Sequence, residues 1–194
     1  MHMNTESRLP YIKPEDMNEK QREFYDFHAE KFKGIPYIWM LEGGELNGPS
    51  NALLHDIEIG DLMFKLNRHI VGQTRVSFYI QELVILVTVT AAKAAYGMYA
   101  HTKLATEKAK MTPEMVATIT AGQRPSNLNE EEAAAYDFAF ALTQPGPISG
   151  AVYDRALKAF GKEGLSILVF LSGMFKLVGT ILNAYNEPVP DYRG

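Results

Sequence analysis

The chain contains no cysteine. This excludes a disulfide, a thiolate nucleophile, a CxxC redox pair, a cysteine-zinc knot and a cysteine-held iron–sulfur cluster. Basic runs are also missing: 19 Lys+Arg against 23 Asp+Glu leave a formal charge of −4, with no stripe dense enough to follow a phosphate backbone, so no nucleic-acid partner is expected. No HExxH, EF-hand loop, P-loop or GxGxxG occurs, and neither a metal nor a nucleotide cofactor is expected. Low-complexity tracts and internal repeats are absent. The longest apolar runs, over 83–92 and 165–175, end at Lys93 and Lys176, short of the roughly 20 residues a bilayer span needs. With no apolar leader at the N-terminus, the expected setting is cytoplasmic and away from membranes.

What remains is an ordinary globular composition, 46% apolar and 22% charged over 194 residues, which reads as a single domain over 1–194. Residues 1–14 read as an extended arm and 34–50 as an ordered loop, because Gly34, Pro36, Gly43, Gly44, Gly48 and Pro49 interrupt any helix while Tyr37 and Trp39 give the loop something to pack. Elsewhere the apolar period is helical. A first helix carries Phe24, Phe27 and Phe32, and a second runs about five turns from Ser50 to His69. A third, over 76–95, is apolar nearly all round and suits the centre of the domain or a subunit contact. A partner helix follows over 96–108. Thr112-Pro113-Glu114, Asn129 before three glutamates, and Ser149 each supply a helix start, and a last helix spans about 162–184. The expected class is all-α.

Two residues in this pattern carry chemistry. Glu82 shares a helical face with Phe78, Ile85, Leu86 and Val89, where a carboxylate needs a partner to offset its desolvation. His101 has Gly97 and Met98 one turn before it and Leu104 and Ala105 one turn after, while Thr102, Lys103, Thr106 and Glu107 take the solvent side, so its imidazole points inward. Ala94 and Gly97 lie on the same face as His101, and their small side chains are expected to leave a pocket beside the ring. A carboxylate can orient an imidazole and stabilise its protonated form, which suits general acid/base work. A satisfied core histidine and a backbone-bonded glutamate would show the same spacing. Further pocket candidates are Tyr96, Tyr99, His55, and the cations Arg68, His69 and Arg75. His2 and His28 have no supporting context.

The spacing resembles the carboxymuconolactone decarboxylase and alkylhydroperoxidase-D superfamily. Its signature is a glutamate, a CxxC beginning twelve residues later and a histidine nineteen residues after the glutamate; Glu82 and His101 hold that offset, and Ala94 and Gly97 stand at the cysteine positions. Branches without thiols show Glu-Tyr-x-Trp-x-x-His, which Tyr96 matches and Met98 departs from. Arg8-Leu9-Pro10, the entry at 49–55, Thr112-Pro113-Glu114 and the run 183–188 extend the likeness over nearly the whole chain. Tyr79, Gln81 and Val87 stand where the family often has arginines, and Lys110 where it has glycine, so substrate contacts differ from those of the named decarboxylase. The resemblance implies an AhpD-like helical fold with a central helical hairpin, a trimer or hexamer, and a thiol-independent, cofactor-free enzyme acting on a small carboxylate or lactone. His101 would move the proton, Glu82 would orient it, and Tyr96, Ala94, Gly97, Met98, His55, Arg68, His69 or Arg75 would hold the substrate. An alkylhydroperoxidase-like antioxidant is disfavoured by the missing cysteines, and a non-catalytic binding or assembly protein is the third reading.

Overall fold

The computed structural model describes residues 6–190; the first five residues of the expected arm, His2 among them, lie outside the described residues. Among the described residues every regular element is helical. A 3-10 turn at Pro14–Asp16 precedes α1 (Glu19–Lys31), α2 (Pro49–His55), α3 (Ile57–Val71), α4 (Phe78–Ala91), α5 (Ala95–Lys103), α6 (Pro113–Thr120), α7 (Glu130–Thr143) and α8 (Gly150–Tyr185). The helix starts are local chemistry. Asn18 and Asn129 form capping boxes with Gln21 and Glu132, and Ser77, Thr112 and Ser149 each accept a bond from the backbone N–H three residues on.

α4 is the axis. Every residue from Ile80 to Val89 is buried, with α5, α6, α7 and α8 packed around it, so its apolar surface is covered within one protomer. The β-branched residues of this helix are helical because burial on all sides outweighs their strand preference. Gln81 is accommodated by donating to the carbonyls of Gln73 and Val76 at 2.8 and 2.9 Å. α4 turns sharply into α5 at Lys93 (φ 53°), making the expected hairpin.

Two details depart from the sequence reading. The single helix expected from Ser50 to His69 is two helices, broken at Asp56 (φ −130°, ψ 81°), whose side chain caps α3 through Ile59 N–H. The corner is tight enough that a Cβ on Gly60 would collide with the Leu53 carbonyl. The helix after the hairpin ends in a π-helical turn, Leu104–Lys108, instead of running as α-helix to 108. The segment 150–185 is long and apolar enough to cross a bilayer by length and composition; it bends at Gly161 (φ 65°, ψ 178°), where the sequence reading separated its two helices, and more than half of its most apolar stretch is buried against the rest of the protein. On α3, Leu62 and Leu66 face outward while Met63, Phe64 and Ile70 turn to the core.

The loop expected over 34–50 ends at Gly48, because Pro49 and Ser50 already form the first turn of α2. Trp39 and Met40 pair with Asn47 and Leu46, and the Tyr25 hydroxyl donates to the Gly44 carbonyl at 2.9 Å. The described part of the arm is stitched down along its length. Arg8 N–H donates to the Tyr185 carbonyl (2.8 Å), the Ser7 hydroxyl donates to the Glu187 carboxylate (2.7 Å), and Asn51 bonds the backbone of both Pro10 and Ile12.

Two predictions follow from this packing. Gly60→Ala should cost about 2 kcal/mol or more, seen as a fall of about 6 °C in Tm, because backbone and not a flexible side chain occupies the space. Burial pushes the Glu187 carboxyl up from its ordinary 4.5 to about 7, against the lowering effect of the Ser7 bond. Because the folded chain holds that proton more tightly than the unfolded one, this contribution is complete below pH 4.5 and is lost as pH rises toward 7. Glu187→Gln should therefore raise Tm relative to the parent at pH 8 and show little or no such gain at pH 4, measured by thermal melts across that range.

Candidate functional site

The α4–α5 hairpin brings Glu82 and His101 together. His101 Nδ1 lies 2.9 Å from Glu82 Oε2, with the carboxylate 2% exposed and the imidazole nearly buried. A carboxylate accepts, so Nδ1 carries the hydrogen and Nε2 is left as the nitrogen that can take or give a proton. The edge-to-face contact with Phe175 of α8, 4.8 Å between centroids, fixes the ring from another side.

Both residues line a half-open cavity of about 220 Å³ walled by α1, the loop that follows it, α2, α3, the hairpin and α8. Its walls are aromatic and aliphatic, with Phe32, Trp39, Phe64, Phe78, Ile85 and Phe175 among them, and Tyr37, Asn47, Ser50, Asn67 and Arg68 add polar groups. The loop wall is held by the hairpin. The Tyr96 hydroxyl donates to the Ile38 carbonyl (2.8 Å) and the Tyr99 hydroxyl accepts from Ile38 N–H (3.2 Å). Tyr96 fits because residue 48 is glycine; a Cβ there would run into the tyrosine ring. Burial first, then the nearby hydroxyls of Tyr37 and Tyr99, hold the Tyr96 phenol well above the usual range, so it remains a donor.

Of the expected site residues, Glu82, His101, Tyr96, Gly97 and Arg68 line the cavity. The others are placed elsewhere, each for a local reason. His55 is exposed at the end of α2 and bonds the Pro10 carbonyl through Nε2 at 2.9 Å, so it fastens the arm. His69 is exposed one turn from Gln73, which bonds its carbonyl. Arg75 is exposed between α3 and α4 and reaches Glu163 on α8. Ala94 is fully buried at the hairpin turn, where Gly97 and Gly179 approach it, and Met98 packs into the core. The small residues at 94 and 97 therefore serve close packing: a Cβ on Gly97 would lie 3.2 Å from Val89.

The sequence reading missed His28. It stacks on Phe32 (4.0 Å between centroids), contacts Phe64 and Trp39, and shares a bond of 3.0 Å between Nε2 and the Ser50 hydroxyl. Burial, aided by the positive charge of Arg68, lowers its pKa from 6.5 to about 3, so the ring is neutral at physiological pH and is not poised as a base for Ser50. The signal was present as Phe24, His28 and Phe32 at four-residue intervals, one aromatic face of α1. Among the described residues no cluster of His, Asp and Glu could hold a metal ion.

No protein-family model matches this chain, and no curated protein matches it. Solved structures do. It is similar to an uncharacterized peroxidase-related protein from Ralstonia eutropha JMP134 described as an alkylhydroperoxidase AhpD core, with 15% identity over 95% of this chain and 93% of that one and a TM-score of 0.78. A peroxidase-related protein from Silicibacter sp. TM1040 aligns at 16% identity over 97% and 94%, TM-score 0.78. The debrominase Bmp8, in complex with 2,3,4-tribromopyrrole, aligns at 14% identity over 95% and 94%, TM-score 0.74. The chain has the AhpD-like helical fold, and it has it without a cysteine.

Proposed function

We propose that the protein is a cofactor-free acid/base enzyme whose substrate is a small ring-bearing carboxylate or lactone, as in the decarboxylase branch of the superfamily it resembles. The observation that carries this reading is the 2.9 Å bond between His101 Nδ1 and Glu82, which leaves Nε2 as the proton carrier at the wall of an aromatic cavity. Arg68, the one candidate cation of the sequence reading that lines the cavity, is assigned to the substrate carboxylate. In decarboxylation the carbon–carboxylate bond breaks, carbon dioxide leaves and the electron pair remains as an enolate; His101, as imidazolium, delivers the proton to carbon and is recharged from solvent. Glu82 orients the ring and balances its charge. Thiol-based peroxide reduction has no residue to perform it. The 2,3,4-tribromopyrrole bound by Bmp8 supports a small planar ring as the kind of occupant this fold admits. We also assign self-association to a trimer or hexamer, supported by exposed Leu62 and Leu66 on α3 and Phe170 and Leu177 on α8.

The test screens small γ-carboxylated lactones and ring carboxylates for carbon dioxide release, followed by proton NMR. His101→Asn keeps a donor near the Nδ1 position but has no second nitrogen, so it should fold and lose turnover by about 10² or more. Glu82→Gln should lower turnover by at least about tenfold with the helical spectrum intact. Unchanged turnover in His101→Asn would sink the proposal.

A further inference from the structure

Tyr37 is the cavity residue that the acid/base reading leaves without a task. It sits in the loop 34–48, lines the cavity, and packs its ring edge-on against Phe32 and Tyr96, at 6.4 Å between centroids in each case. The neighbouring tyrosines spend their hydroxyls on the backbone of Ile38. Tyr37 is half-buried, and its hydroxyl has no hydrogen-bond partner among the described residues; a phenol at a cavity wall ordinarily finds one. Burial, and after it the negative charge of Glu82, push its pKa far above the usual range, so it is a protonated donor at every working pH. A neutral donor near the Glu82–His101 pair, without a partner among the described residues, is suited to an oxygen that arrives with the ligand.

The walls limit what that ligand is. Phe32, Trp39, Phe64, Phe78 and Phe175 present five rings to a space of about 220 Å³, and a dry cavity of about 150 Å³ already accommodates benzene. One six-membered ring with one or two small substituents fits this volume. Flat faces lose less contact against other flat faces than against a puckered ring.

Resting on the reading of this cavity as the substrate site, we propose that Tyr37 is a substrate-binding residue that donates to a carbonyl or carboxylate oxygen of a flat, unsaturated ring and thereby fixes the ring's orientation beside His101. This makes the substrate class an aromatic or conjugated cyclic carboxylate or carbonyl compound, distinct from a saturated one.

The protein carries its own reporter, because its single tryptophan, Trp39, lines the cavity. Benzoate and cyclohexanecarboxylate, which share charge and size and differ in flatness, are titrated against Trp39 fluorescence in the parent and in Tyr37→Phe. The variant keeps the ring that packs on Phe32 and Tyr96, and thermal melts verify its fold. The parent is expected to bind benzoate saturably, with affinity about tenfold weaker in Tyr37→Phe and about tenfold weaker for cyclohexanecarboxylate. Equal affinity of parent and Tyr37→Phe for benzoate overturns the role of Tyr37. Equal affinity for the two carboxylates, or no saturable benzoate response up to about 10 mM, overturns the flat-ring assignment. Binding is read without proton transfer, so these outcomes are separate from the turnover of His101→Asn.

Discussion

The burial of one carboxylate sets the terms for the rest of this structure. Glu82 stands in the middle of a helix with no solvent-exposed face, where an unpaired charge would cost several kcal/mol. The cost is offset by a charge-assisted bond to His101, and that bond requires the next helix to return antiparallel and close. The sharp turn at Lys93 and the absence of a side chain at Gly97, which lets α5 lie on Val89, meet that requirement. The hairpin is thus positioned by the Glu82–His101 hydrogen bond as much as by its apolar contacts. Removing the imidazole alone would leave an uncompensated buried charge, which is why the asparagine variant and not the alanine one separates chemistry from folding.

The same hairpin governs the loop. Tyr96 and Tyr99 lie on α5, about one and a half turns and half a turn before His101, and both grip Ile38, so the helix that carries the imidazole also positions the wall it faces. Glu187 joins this arrangement from the end of α8. It is buried beside the arm, its charge contributes to the raised pKa of Tyr96, and Ser7 ties it to the arm. The N-terminal arm, the C-terminal end of α8 and the cavity loop are therefore coupled through a few buried polar groups, while the apolar core behind them is continuous.

Much of this was legible in the sequence, and the boundary of legibility has physical causes. Helix starts were readable because a cap and its N–H partner lie three residues apart, and Thr112, Asn129 and Ser149 behave as read. The pairing of Glu82 with an inward His101 was an inference from faces, and the geometry brings the two into contact. The break at Asp56 was hidden because aspartate is a tolerable helix residue, and only the approach of Leu53 to Gly60 makes it a corner. The far wall of the cavity was hidden for a deeper reason. His28, Tyr37, Trp39 and Ser50 come from α1, a loop and α2, and no periodicity relates residues that meet only when three elements close on a fourth. The exposed positions of His55, His69 and Arg75 were equally unreadable, since a cation near a helix end carries no mark of which way the cavity opens.

The small residues at 94 and 97 bear on where a reaction could occur. Space beside His101 was expected there, yet Ala94 is sealed between Gly97 and Gly179, and the missing side chain of Gly97 is filled by Val89. Gly97 still borders the cavity, but the space at Ala94 is closed packing, and a carbon added at Gly97 would press on Val89. The cavity lies where His101 meets the rings of Phe175, Trp39 and Phe64. A ligand that reaches the imidazole therefore comes from the aromatic side, and chemistry at this site is shaped by what those rings and the polar groups among them can hold, whatever once stood at the hairpin turn.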